Sequence, residues 1–323
     1  MEYMQKIEAW VESLGYSNYR LEVVSADASY RKYYRLILDD EKTFIIMDSS
    51  IQVESIYPFI DVSVRLLKSN VQIPRVYSQN LQEGYLLLED LGNTHLIDIL
   101  NEMSYKLVYM KSISEILKMQ KTETTGLELY DEEFLNFEMG LMEDWFLEKH
   151  HNIYLSEEEK QSLNAILELV KDEVLSQPQG YFVHRDFHSR NIMFAGRGKI
   201  WVIDYQDARI GALTYDLVSL LKDVYVKFDI KFSRAKMLEL VLEFKLLKGK
   251  ELTHVSDEQL IRWFDFTGLQ RHIKILGIFA RLKLRDNKPA YINDIPMTLT
   301  YIYEMIELYP ELEPLKRILD KIS

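Results

Sequence analysis

Residues 181–207 read YFVHRDFHSRNIMFAGRGKIWVIDYQD, and this stretch constrains the chain more than any other. Two short apolar runs, Ile192-Met193-Phe194 and Ile200-Trp201-Val202-Ile203, flank a Gly-containing turn and read as strands, while the segments on either side have helical periodicity. Between the entry Tyr181-Phe182-Val183 and the first run lies the polar loop His184–Asn191. A polar loop held by short strands inside a helical region is where a scaffold positions chemistry. The residue types are specific. Asp186 is able to accept a hydroxyl hydrogen, and Asn191, five residues on, carries an amide oxygen for a metal. Asp204 ends an apolar strand with a carboxylate suited to magnesium. His184 is expected to order the loop, and His188 to order it or to move a proton.

The rest of the chain supplies a frame. Residues 1–14 carry a helical stripe (Met4, Ile7, Trp10, Val11, Leu14) closed by Gly15. Strands are expected at Leu21–Ser25, Tyr33–Leu38, Thr43–Met47, Arg75–Ser78 and Tyr85–Leu88. A helix over Val53–Lys68 is expected between the third and fourth, with Ile56, Ile60, Val64 and Leu67 on one face. Beyond Leu91-Gly92 the pattern is helical, with capping boxes predicted at Ser156–Glu159 and Ser256–Gln259. The expected fold is α+β in two lobes: a β-rich domain over residues 1–91 and an α-rich domain over 92–323.

Composition limits the partners. There is no cysteine, so disulfides and thiolate metal sites are excluded. A formal charge of −12 argues against a general nucleic-acid binder. No apolar run approaches the roughly 20 residues of a membrane span, and residues 1–16 lack the apolar core of a signal peptide, so a soluble, cytoplasmic protein with no membrane partner is expected.

HRDFHSRN followed by WVIDYQDA resembles the catalytic and metal-binding segments of the aminoglycoside phosphotransferase and choline-kinase-like family, distant relatives of protein kinases. The resemblance extends to the hinge-like LLLEDLG at Leu86–Gly92 and implies a two-lobed protein-kinase-like fold. It implies ATP and Mg2+ as cofactors, Asp186 as catalytic base, Asn191 and Asp204 as metal ligands, and backbone around Glu89, Asp90 and Leu91 as the adenine site. The segments SADASYRKYYRL, FIIMDSS, VHRDFHSRNIM, DYQDARIGALTYDLVSLLKD and GLQRHIKILGIFARL are similar to a narrower group, the bacterial N-acetylmuramate/N-acetylglucosamine kinases. Those enzymes phosphorylate the anomeric hydroxyl of cell-wall amino sugars in peptidoglycan recycling, so a sugar acceptor is implied.

Two departures stand out. The third strand, Thr43–Asp48, contains no lysine to meet the phosphates, and Lys42 sits in the preceding turn. The loop before the second strand is not glycine-rich. Ser29 and backbone amides there, with Arg31 or Arg35 as a bidentate donor, are the expected replacements, and Glu54 a partner for such a cation or an exposed helix-start residue. In the second lobe, Arg271, Lys274, Arg281 and Arg285 follow helical steps within Trp263–Arg285. That stripe is either a solvated face or, through Arg271 and His272, a wall of the acceptor pocket, with Asp48 and Gln206 as further pocket candidates. Asp207, Arg209, Tyr215 and Asp216 read as tethers for the loop, Asp216 also as a helix cap or a substrate contact. A kinase of the same fold acting on an aminoglycoside, choline or ethanolamine is the second reading, and a nucleotide-binding pseudokinase the third.

Overall fold

The computed structural model describes residues 2–25, 31–196, 198–226 and 233–322. Ser29 lies outside the described residues. The chain divides into two compact units: residues 1–94 with 193–207, and residues 95–192 with 208–323.

In the smaller unit, β1 (Tyr19–Ser25), β2 (Lys32–Leu38), β3 (Thr43–Asp48), β4 (Val76–Asn80) and β5 (Tyr85–Glu89) form an antiparallel sheet in the order β1-β2-β3-β5-β4. The expected five strands are all present. Interior strand β5 is buried from Tyr85 to Leu88 because β3 and β4 flank it and α1 (Glu2–Ser13) covers one face. Ile7, Trp10 and Val11 of α1 pack with Tyr34, Leu36, Phe44, Ile46, Tyr85 and Leu87, so the N-terminal stripe meets alternate residues of three strands.

α2 (Ile56–Lys68), preceded by a 3-10 turn at Val53–Ser55, corrects one expectation. Its buried side is Ile56, Phe59, Val62, Ser63 and Leu66, while Val64 and Leu67 are exposed. Apolar residues occur on both candidate stripes, and Phe59 decides between them by packing its ring 4.9 Å from Tyr205. Ser63 and Tyr205 also share a 2.8 Å hydrogen bond. Residues 193–207 are thereby tied to this unit, as they are by Val202 N donating to the Gln72 carbonyl at 2.8 Å and Phe194 N to that of Thr94 at 2.8 Å.

The larger unit is mostly helical: α3 (Leu96–Ile99), α4 (Tyr105–Met119), α5 (Glu132–Leu141), α6 (Glu157–Ser176), α7 (Tyr215–Leu221), α8 (Arg234–Lys248), α9 (Asp257–Leu284), α10 (Ile295–Leu308) and α11 (Glu313–Leu319). α5 runs directly into a π-helical segment, Met142–His150, which carries no sequence signal. Here β6 (Tyr181–Val183) pairs antiparallel with β9 (Arg209–Gly211), whereas β7 (Ile192–Ala195) and β8 (Lys199–Val202), which pair with each other, fall almost wholly in the smaller unit. Ser156 and Glu159 form the reciprocal capping box that the sequence predicts. At α9 only the forward half forms, Gln259 N donating to Ser256 Oγ at 3.1 Å.

α9 organises this unit. It spans 28 residues, is buried nearly all round, and packs against α5, α6, α7, α10 and the π-helical segment. A helix with neighbours on every side loses its amphipathic stripe, which is why its charged residues do not mark a solvated face. Gly277 makes the approach to α5 possible, since a Cβ there would sit 2.3 Å from the Leu141 carbonyl carbon. No described helix is long and apolar enough to cross a membrane.

Candidate active site

The loop His184–Asn191 hangs on backbone hydrogen bonds to buried carboxylates. Asp216, 2% exposed in α7, accepts from His184 N at 2.8 Å and from Arg185 N at 3.1 Å. Burial raises the Asp216 pKa above the ordinary aspartate range, although His184 and the two backbone donors oppose that. The tether expected of this cluster therefore falls to Asp216, which does not cap its helix. Downstream, Ser189 N donates to Asp223 Oδ2 at 2.8 Å and His95 Nδ1 lies 2.8 Å from the Arg190 carbonyl. Arg185 holds φ at +77°, a left-handed conformation uncommon for non-glycine residues. Its carbonyl accepts from Ser219 Oγ at 3.3 Å and from Arg271 Nη1, so the strained turn is held from both sides.

Asp186 follows that turn. Its N–H donates to His184 Nδ1 at 3.3 Å, and its carbonyl accepts from Asn191 Nδ2 at 3.0 Å. His184, 1% exposed, thus orders the loop as the sequence reading anticipates. The Asp186 carboxylate opens into a pocket of about 200 Å3 within the larger unit. Arg271 and Lys274 bring positive charge to the walls, and Tyr225, Phe279 and Tyr291 bring aromatic faces. Burial works against ionisation of Asp186, but Lys274, Arg271 and Arg185 outweigh it and hold the carboxyl well below the usual range. His188 also lines the pocket, edge-on to Tyr225 at 5.0 Å, and burial lowers its pKa against the pull of Asp223 and Asp186.

The other predicted residues separate into those the structure brings to this pocket and those it does not. Arg271 is there, 3.8 Å from Asp186. His272 is not: its ring stacks on Tyr301 at 4.7 Å, and Nε2 lies 3.1 Å from the Lys222 carbonyl. Adjacent helix residues point about 100° apart, so one of the pair faces the pocket and the other the α10 side. Lys274, three residues after Arg271, faces the same way and is the member that the residue-by-residue reading left outside the pocket.

In the smaller unit, Asp204 adopts φ +63° just beyond β8 and is exposed. Gln206 donates from Nε2 to Asp204 Oδ1 at 2.9 Å and to Asp207 Oδ2 at 3.2 Å, orienting both carboxylates from a buried position. Among the described residues no group of three or more His, Asp or Glu gathers as a metal cage. Magnesium is usually held by one or two carboxylates together with water and substrate phosphates, and the oxygen donors of Asp204 fit that chemistry.

Arg35 is committed to the segment after β5: Nε donates to Asp90 Oδ2 at 2.6 Å and Nη2 to Asn93 Oδ1 at 2.8 Å. Burial raises the Asp90 pKa, but Arg35 and the Gly92 N–H lower it further, so this carboxylate is a fixed structural anion. Glu89 is likewise used, accepting from Arg75 N at 3.3 Å, and Leu91 follows at the end of the strand, partly buried. Arg31 is 6% exposed, and Asp48, 2% exposed, accepts from Ser50 N at 2.8 Å. Lys42 lies 4.9 Å over the Phe44 ring, and Glu54 is exposed.

Residues 20–239 match the phosphotransferase enzyme family. The N-acetylmuramate/N-acetylglucosamine kinase of Neisseria meningitidis serogroup B is 33% identical, covering 99% of this chain and 96% of its own. The protein of the same name from Pseudomonas aeruginosa is 34% identical, covering 91% and 86% respectively. Among solved structures, a choline kinase from Streptococcus pneumoniae superposes with a TM-score of 0.61 at 15% identity, covering 94% of this chain and 100% of that one, a likeness of fold alone. With a family match across most of the chain and relatives similar from end to end, the protein belongs to the phosphotransferase enzyme family.

Proposed function

We propose that the protein transfers the γ-phosphoryl group of ATP to the anomeric hydroxyl of N-acetylmuramate, N-acetylglucosamine or both, in the cytoplasm. The observation that carries this reading is the Asp186 carboxylate opening into a pocket that combines cations with aromatic walls, in a chain similar over its length to kinases of those two sugars. Asp186 accepts the hydrogen of the anomeric hydroxyl. The sugar oxygen bonds to the γ-phosphorus, and the bond to the β–γ bridging oxygen breaks to release ADP. Asn191 and Asp204 are the proposed magnesium ligands, and the metal supplies neutralisation of phosphate charge. The backbone at Glu89–Leu91 receives adenine, and Ser29 and Arg31 meet the phosphates, because Arg35 is already engaged by Asp90.

Arg271 and Lys274 favour an anionic or neutral acceptor over a cationic one, and the aromatic residues suit the apolar face of a sugar ring. N-acetylmuramate carries a carboxylate, whereas choline and kanamycin are cations. ADP release measured with the four acceptors N-acetylmuramate, N-acetylglucosamine, choline and kanamycin should show turnover with the acetylated sugars and background with the cations. Turnover with choline or kanamycin only would replace this reading by that of a kinase for cationic alcohols.

A further inference from the structure

We propose that Glu138 is a positioning residue for Asp186: it engages two neighbouring cations and so leaves the Asp186 carboxylate open to the acceptor hydroxyl. The inference rests on the phosphotransfer reading above. Glu138 lies in α5, is 4% exposed, and belongs to none of the motifs around Asp186. Its Oε1 takes Arg185 Nη2 at 2.8 Å and Lys274 Nζ at 3.1 Å, while Tyr130 donates its hydroxyl hydrogen to Oε2. The network closes through Tyr215, whose hydroxyl is 2.7 Å from that of Tyr130 and accepts from Lys274 at 3.3 Å.

Lys274, Arg271 and Arg185 act electrostatically on Asp186, with a smaller pull from His188. Among the described residues none forms a hydrogen bond with its carboxylate, and the nearest ion pair is Arg271 at 3.8 Å. Each cation is held elsewhere, Arg185 and Lys274 by Glu138, and Arg271 by the Arg185 carbonyl. A carboxylate gripped by a buried lysine or arginine would lose the acceptor position that the substrate hydroxyl needs. Glu138 balances the charge without occupying the pocket, in which it is not a lining residue.

The amide of Glu138→Gln keeps the shape but releases the cations. With an acceptor that the wild-type enzyme turns over, kcat should fall roughly 30-fold or more, while KM for ATP and for the acceptor stay within about threefold. Lys274→Met on that background removes one of the two released cations, the one with the stronger pull on Asp186. The double variant should recover to within about threefold of the Lys274→Met rate. A purely structural role predicts no recovery, and a double variant as slow as Glu138→Gln overturns the proposal. Should Glu138→Gln fail to fold, the double variant should fold and turn over, and failure of both to fold also overturns it. Wild-type turnover with no acceptor would overturn the phosphotransfer reading and this inference with it. Normal kcat in Glu138→Gln beside an active wild type overturns the inference alone.

Discussion

Asp186→Asn should lower kcat by about 10³-fold while leaving KM for ATP close to the wild-type value. The substitution is nearly isosteric, and the interactions that place residue 186 are made by its backbone: its N–H to His184 and its carbonyl to Asn191. The asparagine should therefore sit where the aspartate sits, so the loss reports acceptor chemistry. An amide takes no proton from the acceptor and offers no negative charge to orient its hydroxyl. Steady-state kinetics with a sugar acceptor, together with nucleotide binding by calorimetry, separate the two effects, and a near-normal rate would remove Asp186 from its role. Because the nearby cations hold the carboxyl below its usual range, it stays ionised through neutral and mildly acidic pH. Decline of the wild-type rate in that range must come from another group.

Asp265→Asn should cost about 3 kcal/mol of stability, the largest loss expected from a residue outside the pocket. Asp265 is fully buried in α9 and accepts from Lys222 at 2.9 Å, from Arg234 Nη1 at 2.9 Å and from the Tyr309 hydroxyl at 2.9 Å. Removing its charge leaves Lys222, 1% exposed at its side chain, buried without a counter-ion. Gly268 makes room for that lysine, since a Cβ there would lie 2.7 Å from Lys222 Cδ. Burial raises the Asp265 pKa, but Lys222 and Arg234 outweigh it and lower it overall. A lowered folded-state pKa stabilises the protein above the unfolded value, and this contribution is lost as pH falls through the folded one. Urea unfolding at neutral pH should show the deficit, and the deficit should shrink in acid. Equal unfolding midpoints for the two proteins at neutral pH would show that the pair contributes nothing net.

What was legible in the sequence was local. The strand pattern, the polar loop between short strands and the Ser156–Glu159 box depend on residues within a few positions of one another, and they were readable for that reason. The orientation of α2 was not, because two apolar stripes compete on it and a long-range contact between Phe59 and Tyr205 settles the choice. The α9 basic stripe was misleading in half its length. Arg271 and Lys274 turn into the larger unit while Arg285 stays in solvent, a division set by what packs around the helix. His272 looked like a ligand and is a stacked, buried imidazole with its pKa lowered to about 3, burial being the main cause. Glu138 gave no signal, since an isolated glutamate in a helical segment reads as a surface residue until its three partners, from Tyr130 to Lys274, fold around it.

The phosphorus NMR spectrum of the product made from N-acetylmuramate and ATP tests the central claim most directly. The account predicts a sugar phosphate whose phosphorus couples to the anomeric proton, formed in step with ADP. A phosphorus coupled to the protons of another carbinol position, or inorganic phosphate as the only product beside ADP, would contradict it.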